Sequence, residues 1–238
     1  MRIGILQCDA TNENFRDEHG DYPGMFISLF QSIDPELQFT VFDVRLGQYP
    51  QTPQECDAYL ITGSRFSVYD DEAWIHKLEK FVVELHSEKH PLLGICFGHQ
   101  MIARALGGKT EKAAQGWGVG VQSYRKTKTK SWLNPALENF SLLAVHQDQV
   151  TELPEGAELI AESEFCPNAA FMIDDHILTF QAHPEFEKAY SKVLLVLREQ
   201  ILGPEIFAAG VKSLDQSIQP QVITNWMVNF LRNGASPT

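Results

Sequence analysis

The sequence predicts an α/β protein in which a mostly parallel sheet is covered by helices on both faces and carries a small antiparallel annex. Three observations predict it. Short apolar, β-branched runs alternate with amphipathic helical stretches. One such run, Pro91 to Ile95, leads directly through Cys96 into a helical segment. From Gly118 to Gln181 the long helices disappear while short strands and turns continue. Alternation of this kind marks βαβ units, and strands without helices between them pair antiparallel.

Arg2 to Gln7 reads as the first strand, and the stretch from about Gly24 to Ile33 as the first helix. Phe39 to Val44 and Ala58 to Thr62 follow as strands. Asp70 and Asp71 supply an expected N-cap, after which Trp74, Ile75, Leu78, Phe81, Val82 and Leu85 fall on one face at 3.6-residue spacing. After Cys96, Gly98 to Leu106 is the next helix, stopped by Gly107 and Gly108. Helical periodicity returns after His183, in Lys188 to Leu202 and in Gln221 to Leu231. No repeat or linker divides the chain, so residues 1–238 are expected to form a single domain with a helical C-terminal extension after about residue 186.

At 238 residues such a domain buries a sizeable core without staples. The formal net charge of -12 disfavours a nucleic-acid partner. Cys8, Cys56, Cys96 and Cys166 lie far apart with no C-x-x-C pair, which argues against a zinc site and suits a compartment where thiols stay free. No metal and no cofactor is called for. The N-terminus turns polar too soon for a signal peptide, and no run approaches the ~20 apolar residues of a membrane span. The expectation is a cytoplasmic protein with no membrane partner.

Gly94-Ile95-Cys96-Phe97-Gly98 sets a potential nucleophile on a strand-to-helix turn between two glycines. Such an elbow brings neighbouring backbone very close, and glycine avoids the Cβ clashes there. A helix start also favours a thiolate and offers N–H groups to an oxyanion. A bare G-x-C-x-G fits a buried structural cysteine equally well, which is the reading for Cys8, Cys56 and Cys166. The elbow needs a base.

His183-Pro184-Glu185 supplies one near the end of the last strand. Pro184 biases His183 toward extended backbone, where positions two apart face the same side, so Glu185 can orient the imidazole while His183 moves the thiol proton. His99 is expected to be structural, and His19, His76, His86, His90 and His176 to be solvated. His146 stands apart, in a loop able to reach back over the elbow.

Gly94 to Gln100 (G-I-C-F-G-H-Q) together with His183 to Glu185 (H-P-E) resembles the class I glutamine amidotransferases, and within them the stand-alone proteins similar to the glutaminase domain of GMP synthetase. The resemblance implies a flavodoxin-like three-layer sandwich. It also implies hydrolysis of the glutamine γ-carboxamide through a Cys96-His183-Glu185 triad and a γ-glutamyl thioester. By the same resemblance the backbone N–H groups of Phe97 and Ser64 form the oxyanion hole. Gly63, Gln100, His146 and Gln147 hold the substrate. Many relatives carry G-G-P where this chain has Gly63-Ser64-Arg65, and glycine where it has Gln147.

The family sends ammonia to a synthetase domain, and nothing in this chain resembles one. A separate synthetase subunit is therefore an expected partner beside the small-molecule substrate. The alternatives are a γ-glutamyl peptidase acting on glutathione-like compounds and a non-catalytic binding or regulatory module, which the complete triad argues against. The basic run Arg125 to Lys130 reads as a solvated hairpin tip, with docking of an acidic partner as its alternative.

Overall fold

The computed structural model describes residues 1–234, so the last four positions of the expected C-terminal extension lie outside the described residues. The elements run β1 (Arg2–Gln7), α1 (Glu13–His19), α2 (Tyr22–Gln31), β2 (Gln38–Asp43), β3 (Ala58–Ile61), α3 (Ala73–Ser87), β4 (Leu92–Ile95), α4 (Phe97–Ala105) and β5 (Lys109–Lys112). They continue as β6 (Gly118–Lys126), β7 (Asn139–His146), β8 (Asp148–Glu152), β9 (Ala157–Glu162), β10 (Ala170–Ile173) and β11 (Ile177–Phe180). Three helices close the described chain: α5 (Lys188–Leu197), α6 (Glu199–Ser213) and α7 (Pro220–Gly234).

The central sheet has the order β2-β1-β3-β4-β11-β10-β9-β6-β7. Its first five strands are parallel, with Ile3 opposite Phe39 and Ala58, and Leu92 opposite Tyr59 and Ile177. All four residues of β3, β4 and β11 are buried, as strands covered on both faces must be. One face packs on Phe26 and Phe30 of α2 and on Ile223, Trp226, Met227 and Phe230 of α7. The other packs on the apolar stripe of α3 and on Phe97, Met101 and Ile102 of α4. The expected α/β class holds, and β5 pairs with β8 in a small antiparallel sheet. Much of the segment expected as an annex is continuous with the main sheet, because β10, β9, β6 and β7 extend it antiparallel from β11.

Three local expectations are corrected. The N-cap of α3 is Glu72, without a side-chain hydrogen bond, since Asp70 instead accepts from the Ser67 N–H at 2.9 Å. The helix expected over Lys188 to Leu202 breaks at Arg198, and α6 is kinked at Gly203, where φ is 75° ahead of Pro204. Helix α1 was not expected from the sequence, because it buries no residue and so has no apolar stripe. No helix among the described residues is long and apolar enough to cross a membrane.

The strand order places the carboxyl ends of β1, β3, β4 and β11 side by side. Asp9, Gly63, Cys96 and His183 follow those ends, where open α/β sheets bind ligands.

Candidate active site

Cys96 sits between β4 and α4 with φ 53° and ψ -101°, a backbone region that residues with a Cβ rarely visit. Its N–H donates to Phe180 O of β11 at 2.9 Å, and its carbonyl accepts from the Gln100 N–H at 3.0 Å. The two flanking glycines are sterically required. A Cβ on Gly94 would stand 2.7 Å from Gly98 O, and one on Gly98 would collide with Ile61 O of β3. Strand β3, strand β4 and helix α4 therefore converge on the turn. Phe97 is the first residue of α4, so its N–H has no acceptor inside the helix.

His183 lies three residues past β11 and is fixed by a bridge to β7, its N–H donating to Leu143 O at 2.8 Å. Its Nδ1 is 2.7 Å from Glu185 Oε1, and both side chains are buried. Nε2 is buried and makes no hydrogen bond, so it is the nitrogen left to face the sulfur. Burial pushes the imidazole pKa down, but attraction to Glu185 and to the Cys96 sulfur outweighs it and raises the value to about 10. Phe186 lies flat on the ring, with centroids 3.9 Å apart. Gly63 brings β3 to the same point, since a Cβ there would sit 2.8 Å from His183 Cε1 and 3.7 Å from Cys96 Cβ.

Cys96 opens into a cleft of about 240 Å³ that Ser64, Gln100, His146 and Gln147 also line. A larger cavity of about 450 Å³ borders Glu185 and Phe186 but not Cys96, so the smaller cleft is the one within reach of the sulfur. Ser64 is pinned by Oγ donating to Cys8 O at 3.0 Å, and next to it the Arg65 N–H donates to Asp9 at 2.9 Å. Both donors of the Gln100 amide are engaged, on Asp148 O at 2.8 Å and Gln181 Oε1 at 3.0 Å, which leaves Oε1 for a ligand. His146 Nδ1 bonds Asp148 O at 3.1 Å while Nε2 is buried without a partner; burial lowers its pKa to about 4, so the ring is neutral. Phe97 contributes backbone alone, its ring being buried against Trp74. The fold thus brings together all nine residues proposed from the sequence.

His99 is structural as expected: it bonds Thr179 Oγ1 at 2.8 Å, and burial lowers its pKa to about 3. The expectation of five solvated histidines holds for His76, which is exposed, and is corrected for the others, His86 and His90 being half-buried. His176, just before β11, is 2 % exposed and stacks on His86 in the last turn of α3; His19 is packed against Tyr190. The basic hairpin is largely self-neutralised, with Arg125 paired to Glu162, Lys126 to Glu138 and Lys130 to Glu158.

Sequence reasoning missed Phe186, Trp117, Lys112 and Arg198, the last three of which line the cleft. For Arg198 a signal existed. Gly203-Pro204 announces a helix break, and the preceding turn is where Arg198 leaves the helix and meets the cleft.

Comparison with known proteins gives the family and the fold. Residues 30–195 match the family model described as glutamine amidotransferase class-I. The chain is 33% identical to gamma-glutamyl peptidase 3 of Arabidopsis thaliana, over 97% of this chain and 96% of that protein. It is also 33% identical to a glutamine-hydrolyzing GMP synthase of Clostridium novyi, over 66% of this chain but 28% of that protein. A glutamine amidotransferase crystal structure from Thermotoga maritima superposes with a TM-score of 0.75 at 18% identity, covering 99% of this chain and 98% of that one.

Proposed function

Because the chain belongs to the class-I glutamine amidotransferase family, we propose that it hydrolyses γ-glutamyl amides through Cys96, with His183 moving the proton and Glu185 holding the imidazole. The observation that carries this reading is the meeting of a positive-φ cysteine elbow with a buried His183–Glu185 pair 2.7 Å apart, both against Gly63.

The Cys96 sulfur attacks the γ-carbonyl carbon, and the oxyanion is held by the N–H groups of Phe97 and Ser64. The C–N bond breaks as His183 Nε2–H gives its proton to the departing nitrogen, leaving a γ-glutamyl thioester. Water then attacks the thioester, His183 takes a proton from it, and the sulfur departs from glutamate. His183 needs Nδ1–H on Glu185 for both steps, which is the tautomer that the 2.7 Å contact supports. Gly63, Gln100, His146 and Gln147 surround the glutamyl portion in the cleft.

The leaving group separates two forms of this activity. If it is ammonia, the protein is a glutaminase serving a separate synthetase, a form supported by the likeness to the glutamine-hydrolyzing GMP synthase of Clostridium novyi, of which 28% is covered. If it is an amino acid or peptide, the protein is a γ-glutamyl peptidase, supported by likeness to a named peptidase over almost its whole length. A non-catalytic module would have no use for the buried pair.

Purified protein assayed on glutamine and on glutathione, with and without an electrophilic glutamine analogue, tests the proposal. Hydrolysis of at least one compound, lost in Cys96→Ala and blocked by alkylation at Cys96, is expected. Intact turnover in Cys96→Ala would overturn it.

A further inference from the structure

The cleft beside Cys96 carries more positive charge than a glutamine substrate can match. Three cations line it: Arg65, Lys112 and Arg198. Arg65 is neutralised by Asp9 at 2.8 Å. Among the described residues Lys112 and Arg198 have no carboxylate partner, and the Arg198 guanidinium makes one long contact to Leu194 O at 3.4 Å. The one acidic residue of the cleft, Asp148, accepts from Ser67 Oγ at 2.5 Å and Tyr69 Oη at 2.9 Å, keeps its negative charge and stands opposite Lys112. With Asp9 set against Arg65 and Asp148 opposite Lys112, Arg198 is the cation of the cleft left without a compensating carboxylate, in a chain whose net charge of -12 repels anions as a whole.

The two cations stand in different places. Lys112 ends β5 opposite Asp148, and the adjacent Ala113 N–H donates to Gln147 O at 2.9 Å, so Lys112 belongs with the loop assigned to the glutamyl portion. Arg198 comes from the turn between α5 and α6 and shares a neighbouring cavity with Arg65 and Asp9, on the β1 side. It also lies beyond residue 195, where the match to the shared family domain ends.

Glutamine carries one carboxylate, whereas a γ-glutamyl amino acid or peptide carries a second on its leaving portion. Resting on the γ-glutamyl hydrolase reading, we propose that Arg198 is a specificity residue that binds the carboxylate of an amino-acid or peptide leaving group, so that the preferred substrates are γ-glutamyl amino acids or short γ-glutamyl peptides. A guanidinium suits this task because its planar fork bonds a carboxylate in two places.

The test compares γ-glutamylglycine with γ-glutamyl methylamide, which differ in the carboxylate of the leaving amine. In Arg198→Ala the ratio of kcat/KM for the first over the second should fall about tenfold or more, and Arg198→Lys should recover part of it. Calorimetric binding of γ-glutamylglycine to Cys96→Ala should weaken by a similar factor when Arg198→Ala is added. An unchanged ratio, including equal losses on both compounds, overturns the assignment of Arg198 while leaving the hydrolase reading intact. If the wild-type protein cleaves neither compound and Cys96 resists alkylation, the hydrolase reading itself has failed.

Discussion

Phe186 covers the face of His183 with the two ring planes 3° from parallel and the centroids 3.9 Å apart. Two neutral rings avoid so direct an overlap, whereas a positive ring over a π face gains from it. The stack therefore acts in the same direction as Glu185, favouring the protonated imidazole. Phe186 is itself braced by the edge of Tyr190, with centroids 5.0 Å apart.

Phe186→Leu keeps the apolar volume but removes the π face. An aromatic pair is worth about 0.5–1.5 kcal/mol beyond burial, so kcat should fall about twofold to tenfold with KM nearly unchanged. Steady-state kinetics over a pH series checks this, and the alkaline limb of the profile should also move to lower pH. A change confined to KM would contradict the positioning role.

Glu185→Gln tests the source of the raised His183 pKa. The folded value, about 10, lies above the ordinary 6.5, so stability from the protonated pair is complete below about pH 6.5 and is lost as the pH rises through about 10. Thermal unfolding of the wild type should show this decline, and the glutamine variant should show less of it. Its kcat/KM should drop by about 100-fold or more, because the tautomer is no longer enforced. Identical unfolding curves against pH in the two proteins would show that Glu185 does not set the imidazole charge.

Gly98→Ala probes the elbow. The added methyl meets Ile61 O of β3, so backbone must move, at a cost of about 1–3 kcal/mol. Urea denaturation measures the loss, and alkylation of Cys96 should slow in parallel because the same shift reorients the sulfur. Wild-type stability would mean that β3 and α4 are not held as closely as this geometry requires.

The meeting of Cys96 with the His183–Glu185 pair and the parallel half of the sheet were legible because each is written locally. Gly94 and Gly98 record a steric demand at one turn, Pro184 sets the backbone of its neighbour, and β3 and β4 are unbroken apolar runs. What escaped depends on distant partners. Lys112 and Arg198 are 86 positions apart and belong to unrelated elements, and only the folded chain brings both to one cleft. The continuity of β10, β9, β6 and β7 with the main sheet was hidden for the same reason, since alternation within a strand does not say which edge it joins. His176 looked solvated because its neighbours Asp174 and Asp175 are polar, yet packing on His86 buries it.

Asp148 ties the two walls of the cleft together. Its carboxylate accepts from Ser67 and Tyr69 on the β3 side, while its backbone carbonyl accepts from Gln100 on α4 and contacts His146 Nδ1. Replacing Asp148 with Ala removes the carboxylate but keeps the carbonyl, so the loop from His146 to Asp148 should loosen from Ser67 and Tyr69 without displacing Gln100. Hydrogen bonds to a charged group contribute about 1.5–3 kcal/mol, most of it here in holding the loop proposed to surround the substrate. KM should therefore rise about tenfold while the rate of Cys96 alkylation by iodoacetamide, which needs no loop, stays within about twofold of wild type. Loss of alkylation together with the rise in KM would mean that Asp148 supports the elbow itself and not the loop alone.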